Sequence, residues 1–353
     1  MKKALQTAVM GVTGYAGMEL ARLLLRHPQL QGVPPLFLGR AGSIGHATPL
    51  TDLHPHLIDN NGSRSLKVEP FSWDLLQHRG VDVLFLATPH EQSREMAPAA
   101  IEGGLRVIDL SGAWRLHDAQ NRAVYKFEDE GSATAVSVQA KSVYGMPELH
   151  RAEIKSAELI ANPGCYATSI ILALKPLLAE GWVDLDRGIV SDSKSGVSGA
   201  GKVPSAKTHF MYAADNLSAY GVFGHRHTGE LLEQLDLQRE QIIFTPHLLP
   251  IPRGILSTIY VSFRDLKEAA DIEACYREFY KDSPVVRVFP AGQLPQIQYS
   301  VRTNYCDIGF HLAPDGRRCV IVSCLDNLLK GAAGQAVQNL NVMYGWNELE
   351  GLA

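Results

Sequence analysis

Thr7-Ala8-Val9-Met10-Gly11-Val12-Thr13-Gly14-Tyr15-Ala16-Gly17 decides how the rest of the chain is read. The apolar run up to Val12 suits a buried strand, and Met18 to Arg26 carries Leu20, Leu23 and Leu24 on one helical face. Glycines 11, 14 and 17 fall in the turn between the two. Such a turn brings the backbone and a helix N-terminus up to a pyrophosphate, whose charge the helix dipole favours. The spacing is G-x-x-G-x-x-G, a variant of the usual fingerprint and weak on its own. Its place at the first strand–helix junction gives it weight. Gly11, Thr13, Gly14, Tyr15, Ala16 and Gly17 are the candidate cofactor-binding residues.

Working outward, stretches 35–39, 81–87 and 106–110 read as further strands, with a helix over 92–102. Continuous apolar strands separated by helices imply a parallel sheet covered on both faces. The second strand ends in Leu38-Gly39-Arg40-Ala41-Gly42-Ser43. An NAD site normally places an acid there. Arg40 and Ser43 instead suit a 2′-phosphate, so the expected cofactor is NADP(H).

The middle of the chain changes character. Strands are expected over 188–192, 241–245, 256–263, 285–289, 307–312 and 318–324, with a helix over 268–281. Ala313-Pro314-Asp315-Gly316 joins the last two strands as a hairpin turn. This predicts a second, largely antiparallel sheet whose open face calls for a subunit partner, in a homodimer or homotetramer. Leu328, Ala332, Ala336 and Leu340 return the chain to helix. The expected fold class is α/β. A Rossmann-type dinucleotide-binding domain is placed at 1–161 with 326–353, and an α+β catalytic and oligomerisation domain at 162–325.

Bulk properties narrow the class. A formal net charge of −4 leaves no basic footprint for nucleic acid. No stretch has signal-peptide or membrane-spanning character, which points to a cytoplasmic enzyme without a membrane partner. Five cysteines without a C-x-x-C pair fit reduced thiols. His46, His54 and His56 lack metal-motif spacing, so no metal is expected.

The chemistry centres on Asn162-Pro163-Gly164-Cys165-Tyr166-Ala167-Thr168. An apolar run precedes it and a helical pattern follows, so Pro-Gly makes a tight turn and Cys165 falls at a helix N-terminus. Thiolate is favoured there, which makes Cys165 a candidate nucleophile rather than a buried structural cysteine. Gly224-His225-Arg226-His227-Thr228-Gly229-Glu230 supplies the acid–base candidates. If that segment is extended, His225 and His227 point the same way, and Thr228 caps a helix beginning near Leu231. Either histidine fits, with His225 ranked first. Ser195 to Lys202, including Ser198 and Gly199, reads as a backbone cradle for nicotinamide or substrate. Arg115, Arg226 and Arg253 are candidate clamps for phosphate or carboxylate.

Over nearly its whole length the chain resembles the N-acetyl-γ-glutamyl-phosphate reductase family of arginine biosynthesis. The resemblance rests on the glycine loop, Asp109-Leu110-Ser111-Gly112-Ala113-Trp114-Arg115, Val143-Tyr144-Gly145-Met146-Pro147-Glu148-Leu149 and the Cys165 motif. It continues through 195–202, 224–230, Pro252-Arg253-Gly254-Ile255-Leu256 and the stretch from Asp326 to Gly334. It implies a small-molecule acyl-phosphate substrate attacked by Cys165, acid–base work by His225 or His227, and Asn327 near the nicotinamide carboxamide. Gly229 stands where relatives often carry proline. Two rival readings are a carrier-protein-linked aminoadipyl-phosphate reductase of lysine biosynthesis and an NADP-sensing module with an inert Cys165.

Overall fold

The computed structural model describes residues 4–40, 47–57 and 66–352. They divide into two compact units. The first holds the described residues up to Arg115, Phe127–Asn162 and those from Ala332 onward; the second holds Leu116–Lys126 and Pro163–Gly331.

The first unit is built on an eight-stranded sheet. Its strands are β1 (Thr7–Met10), β2 (Leu36–Gly39), β3 (Thr48–Pro49), β4 (Lys67–Pro70), β5 (Val83–Leu86), β6 (Arg106–Asp109), β7 (Ser142–Tyr144) and β8 (Leu159–Ala161). They run in the order β3-β4-β2-β1-β5-β6-β8-β7. Every pairing is parallel except that of the short β3 with β4. Every residue of β1, β2 and β5 is buried, as a sheet covered on both faces requires. Met96, Ala97 and Ala100 of helix His90–Glu102 pack onto Ala8, Leu38, Leu84 and Leu86 of these strands. The C-terminal helix Gly334–Tyr344 is nearly all buried, polar residues included. Gln335 and Asn339 both donate to the Gly145 carbonyl, which removes the cost of burying their amides.

The second unit carries a seven-stranded sheet. Its strands are β9 (Ile189–Gly196), β10 (Ser218–Ala219), β11 (Ile242–Leu249), β12 (Ile255–Ser262), β13 (Val286–Val288), β14 (Cys306–Leu312) and β15 (Arg318–Leu325). The order is β10-β11-β9-β12-β15-β14-β13. Only the β11–β9 and β13–β14 pairings are parallel. One face packs against helix Cys165–Ala179; burial alternates along β9, β11 and β12 and leaves Val190, Ile243 and Tyr260 exposed. The covered face holds a buried hydroxyl chain: Ser193 bonds Ser257 at 2.8 Å, Ser257 bonds Ser169 at 2.9 Å, and Ser169 bonds Ser323 at 3.1 Å. Small side chains there let the helix approach the sheet closely.

Two local features depart from the simplest reading of the sequence. Residues 116–126 join the second unit because the Glu233 carboxylate accepts from the backbone N–H groups of His117 and Asp118 and from the Asn121 amide. The helical return after residue 326 is not uniform either. Leu329–Ala333 forms a wider π-type turn before the α-helix starts at Gly334. Among the described residues, no helix is long and apolar enough to cross a membrane.

Candidate active site

In the first unit, β1 ends at Met10 and Gly11 turns the chain with a φ of +90°. A β-carbon on Gly11 would lie 2.3 Å from the Ala87 carbonyl oxygen, and one on Gly17 would lie 2.2 Å from the Gly11 oxygen. Gly14 differs: an added β-carbon would meet only the Gly11 oxygen, at 3.7 Å. The first and third glycines thus serve turn and packing, while the second keeps an open approach to the backbone. Gly14 N-caps helix Tyr15–Arg26 with no side-chain cap on the helix N–H groups. Thr13 and Tyr15 are exposed and Ala16 is half-buried. This arrangement suits a pyrophosphate. His54, buried, bonds the Val12 carbonyl through Nε2 at 2.8 Å and so braces the loop from behind. Arg40, exposed, directly follows β2. Ser43 lies outside the described residues. Arg115 also belongs to this unit; it is buried and donates to the Leu110 carbonyl at 2.8 Å.

In the second unit, Cys165 is the first residue of helix Cys165–Ala179, with Gly164 as N-cap. The first helical bond runs from Thr168 N–H to the Gly164 carbonyl at 2.8 Å, so the N–H groups of Tyr166 and Ala167 lie ahead of it. Cys165 is half-buried. Burial pushes the thiols of Cys275 to about 11, Cys319 to about 12 and Cys324 higher still. Those three are poor nucleophiles, whereas Cys165 sits where a helix favours negative charge.

Helix Thr228–Leu235 carries the partners. His227 is its N-cap, with helical rather than extended backbone, and the helix starts three residues earlier than expected. Thr228 is therefore a first-turn residue and not the cap. Gly229, in its first turn, packs closely: a β-carbon there would come within 2.9 Å of Leu116 and 3.0 Å of Asn121. Glu230, fully buried, accepts from Gly164 N–H at 2.9 Å and lies 4.0 Å from His227 Nε2. A β-carbon on Gly164 would be 2.5 Å from that same Nε2. His227 and Glu230 thus press directly on the turn that presents the thiol. His225 sits one layer back. Its Nδ1 accepts from His227 N–H at 3.1 Å, and its ring packs against Tyr166, Tyr220 and Phe244. Burial first, and then the charge of exposed Arg226, push the His225 pKa down to about 4.

On the other side of the thiol, a β-carbon on Gly331 would lie 2.7 Å from Cys165 Cβ. Asn327 is buried; it accepts from Gly254 N–H at 2.7 Å and donates to Ser198 Oγ at 2.9 Å, with Gly199 alongside. Both ends of its amide are therefore engaged. Arg253 is held by the Asp326 carboxylate at 3.0 Å.

The structure thus gathers Cys165, His225, His227 and Arg226 on one side, and Ser198, Gly199, Asn327 and Arg253 around the 326–331 segment. Sequence reasoning passed over Glu230, Tyr166, Tyr220 and Asp326. Only Glu230 left a signal, its i, i+3 spacing from His227.

A glycine-loop dinucleotide fold and a thiol beside a histidine–carboxylate pair define an enzyme of the semialdehyde dehydrogenase class. Residues 6–157 match the model described as "Semialdehyde dehydrogenase, NAD binding domain", and residues 165–327 match "Semialdehyde dehydrogenase, dimerisation domain". Similar full-length chains include the N-acetyl-gamma-glutamyl-phosphate reductase of Desulfotalea psychrophila, 44% identical over 99% of this chain and 98% of that one. That of Rippkaea orientalis is 43% identical over 98% and 95%. The chain belongs to the N-acetyl-γ-glutamyl-phosphate reductase family. A crystal structure of aspartate semialdehyde dehydrogenase II from Vibrio cholerae, complexed with ASA, shares the fold. Its TM-score is 0.69 at 18% identity, covering 98% of this chain and 99% of that one.

Proposed function

We propose that this protein reduces N-acetyl-γ-glutamyl phosphate to N-acetylglutamate 5-semialdehyde, releasing phosphate, in arginine biosynthesis. The observation that carries the reading is Cys165 at its helix N-terminus with His227 and Glu230 against the Gly164 turn, in a chain whose full-length relatives bear that activity's name. Cys165 loses its proton to His227, and the thiolate attacks the acyl carbon. The carbon–oxygen bond to phosphate breaks, phosphate leaves, and a thioester on Cys165 remains. NADPH, when bound, supplies the hydride that reduces the thioester carbonyl. The helix N–H groups ahead of Thr168 stabilise the oxyanion. Its collapse to the aldehyde expels the Cys165 thiolate.

His227 is the better acid–base candidate of the pair because it lies against the nucleophile's turn, while His225 orients it through the His227 N–H. Ser198, Gly199 and Asn327 serve as the cradle for the cofactor's nicotinamide end. Gly11, Thr13, Gly14, Tyr15, Ala16 and Gly17 hold its pyrophosphate, and Arg40 with Ser43 favours the 2′-phosphate of NADP(H). Arg226 and Arg115 attract the substrate's anionic groups. The cofactor-binding and catalytic roles expected of 1–161 with 326–353 and of 162–325 fall to the two units, except that 116–126 and 326–331 go with the catalytic unit. The exposed face bearing Val190, Ile243 and Tyr260 pairs with another subunit, in a homodimer or homotetramer. Five cysteines without a disulfide suit a cytoplasmic, reducing setting.

The deciding assay follows NADP⁺ reduction by N-acetylglutamate semialdehyde plus phosphate. Strong preference for that aldehyde over aspartate semialdehyde supports the reading. No turnover with it overturns the reading.

A further inference from the structure

We infer that Asp326 and Arg253 form a positioning pair that sets the 326–331 turn packed against Cys165, with Arg253 acting on the nucleophile through Asp326 and not as a clamp on substrate. The inference rests on Cys165 being the nucleophile.

Asp326 is fully buried and gathers an unusual number of donors. One carboxylate oxygen accepts from Arg253 Nη2 at 3.0 Å and Nε at 3.3 Å, and from the N–H groups of Leu328 at 2.8 Å and Leu329 at 3.1 Å. The other accepts from Arg302 N–H at 2.7 Å, where the backbone is in the left-handed region at a φ of +66°. The Asp326 carbonyl accepts from Gly331 N–H at 2.9 Å. The whole turn from 326 to 331 is therefore wound around one residue. That turn ends at Gly331, whose bare α-carbon abuts Cys165, and it contains Asn327, bonded to Ser198 and to Gly254 N–H.

Buried carboxylates are stable only when paired and fully hydrogen-bonded. Arg253 supplies the countercharge here. Without it a buried charge would be left unpaired, water would be drawn in, and the N–H groups gathered on the carboxylate would relax. Gly331 would then shift against Cys165. Neighbouring positions are too tightly packed for the shift to be absorbed silently, since clearance on that side is already at contact.

The test compares Asp326→Asn, Arg253→Met and Arg253→Lys with the parent protein. Two readouts are used: steady-state turnover, and the pH dependence of Cys165 alkylation by iodoacetamide followed by mass spectrometry. Asp326→Asn and Arg253→Met are each expected to lower kcat by about 100-fold, the cost of misplacing a reacting group by roughly 1 Å. KM for the acyl phosphate should stay within about 3-fold, and the alkylation midpoint should move in the same direction in both. Arg253→Lys, which keeps the countercharge, should recover most of the loss. A raised KM in Arg253→Met, with alkylation like the parent's in both variants, would overturn the proposal and make Arg253 a substrate clamp. Lowered thermal stability with unchanged alkylation would overturn it too, leaving the pair purely structural. Alkylation needs no acyl phosphate, so it reads this turn even if the proposed substrate is wrong. Alkylation of the parent only at other cysteines would instead remove the catalytic reading itself.

Discussion

The two sheets of this chain solve burial in opposite ways. In the first, β1, β2 and β5 are buried at every residue and the strands read as unbroken apolar runs. In the second, β9, β11 and β12 alternate, with Val190, Ile243 and Tyr260 turned outward. The candidate sites differ in the same sense. The cofactor loop is mostly backbone, made possible by glycines that carry no side chain. The thiol site is built from side chains that grip backbone N–H groups of distant turns. A backbone site is written in local sequence; a side-chain site is assembled from positions far apart in the chain.

The sharpest way to break this division of labour is Cys165→Ser. Turnover should fall by several orders of magnitude, because a hydroxyl stays protonated at neutral pH and would form an ester, a poorer hydride acceptor. Cofactor binding, read by fluorescence titration, should not change. Coupled loss of both would mean that the two sites are not separable.

His227→Ala comes next, with an expected loss of about 10²–10⁴ in kcat, the usual worth of a general acid–base group. His225→Phe should cost much less. With its pKa pushed down to about 4, His225 is neutral at working pH, so the pH–rate profile should keep its shape in that variant. The reverse order of losses would make His225 the proton carrier.

A smaller effect is expected from Arg40→Asp in the first unit. A charge-assisted contact to phosphate is worth about 1.5–3 kcal/mol. NADPH affinity should therefore drop by roughly one to two orders of magnitude while NADH is relatively favoured. Acylation of Cys165 by the acyl phosphate, trapped without cofactor, should proceed as in the parent. Equal parental affinity for the two cofactors would sink the assignment.

Smallest in its effect on the folded chain is Tyr260→Glu. An exposed strand position usually changes stability by no more than about 0.5 kcal/mol. Light scattering should nevertheless show a smaller assembly if the proposed pairing face is the interface, because the charge would lie on it. An unchanged mass would move the interface elsewhere.

Most strands of both sheets were legible in the sequence, because apolar runs and turn residues are local signals; the short β3, β4, β7 and β10, which carry few apolar residues, were not. The boundaries moved where distant partners intervened. Nothing near residue 116 announces that Glu233 will capture His117 and Asp118. The histidine-bearing helix, which starts at Thr228, sets Gly229 against Leu116 and Asn121, again a long-range contact. Cys165 was legible for the opposite reason: strand, Pro-Gly turn and helix lie within a few residues of it. Asp326 was not, since its role comes from Arg253 and Arg302, which sequence spacing does not bring together.

The bare α-carbons at Gly164 and Gly331 bear on how the gene can vary. Both glycines flank the thiol, and at both an added β-carbon would fall within 2.7 Å of a neighbouring atom. Glycine is the one residue from which every missense change adds that carbon. No missense change at these two positions is conservative, so natural variation there should be limited to synonymous substitutions, while the exposed stretch from Val203 to Lys207 is open to replacement.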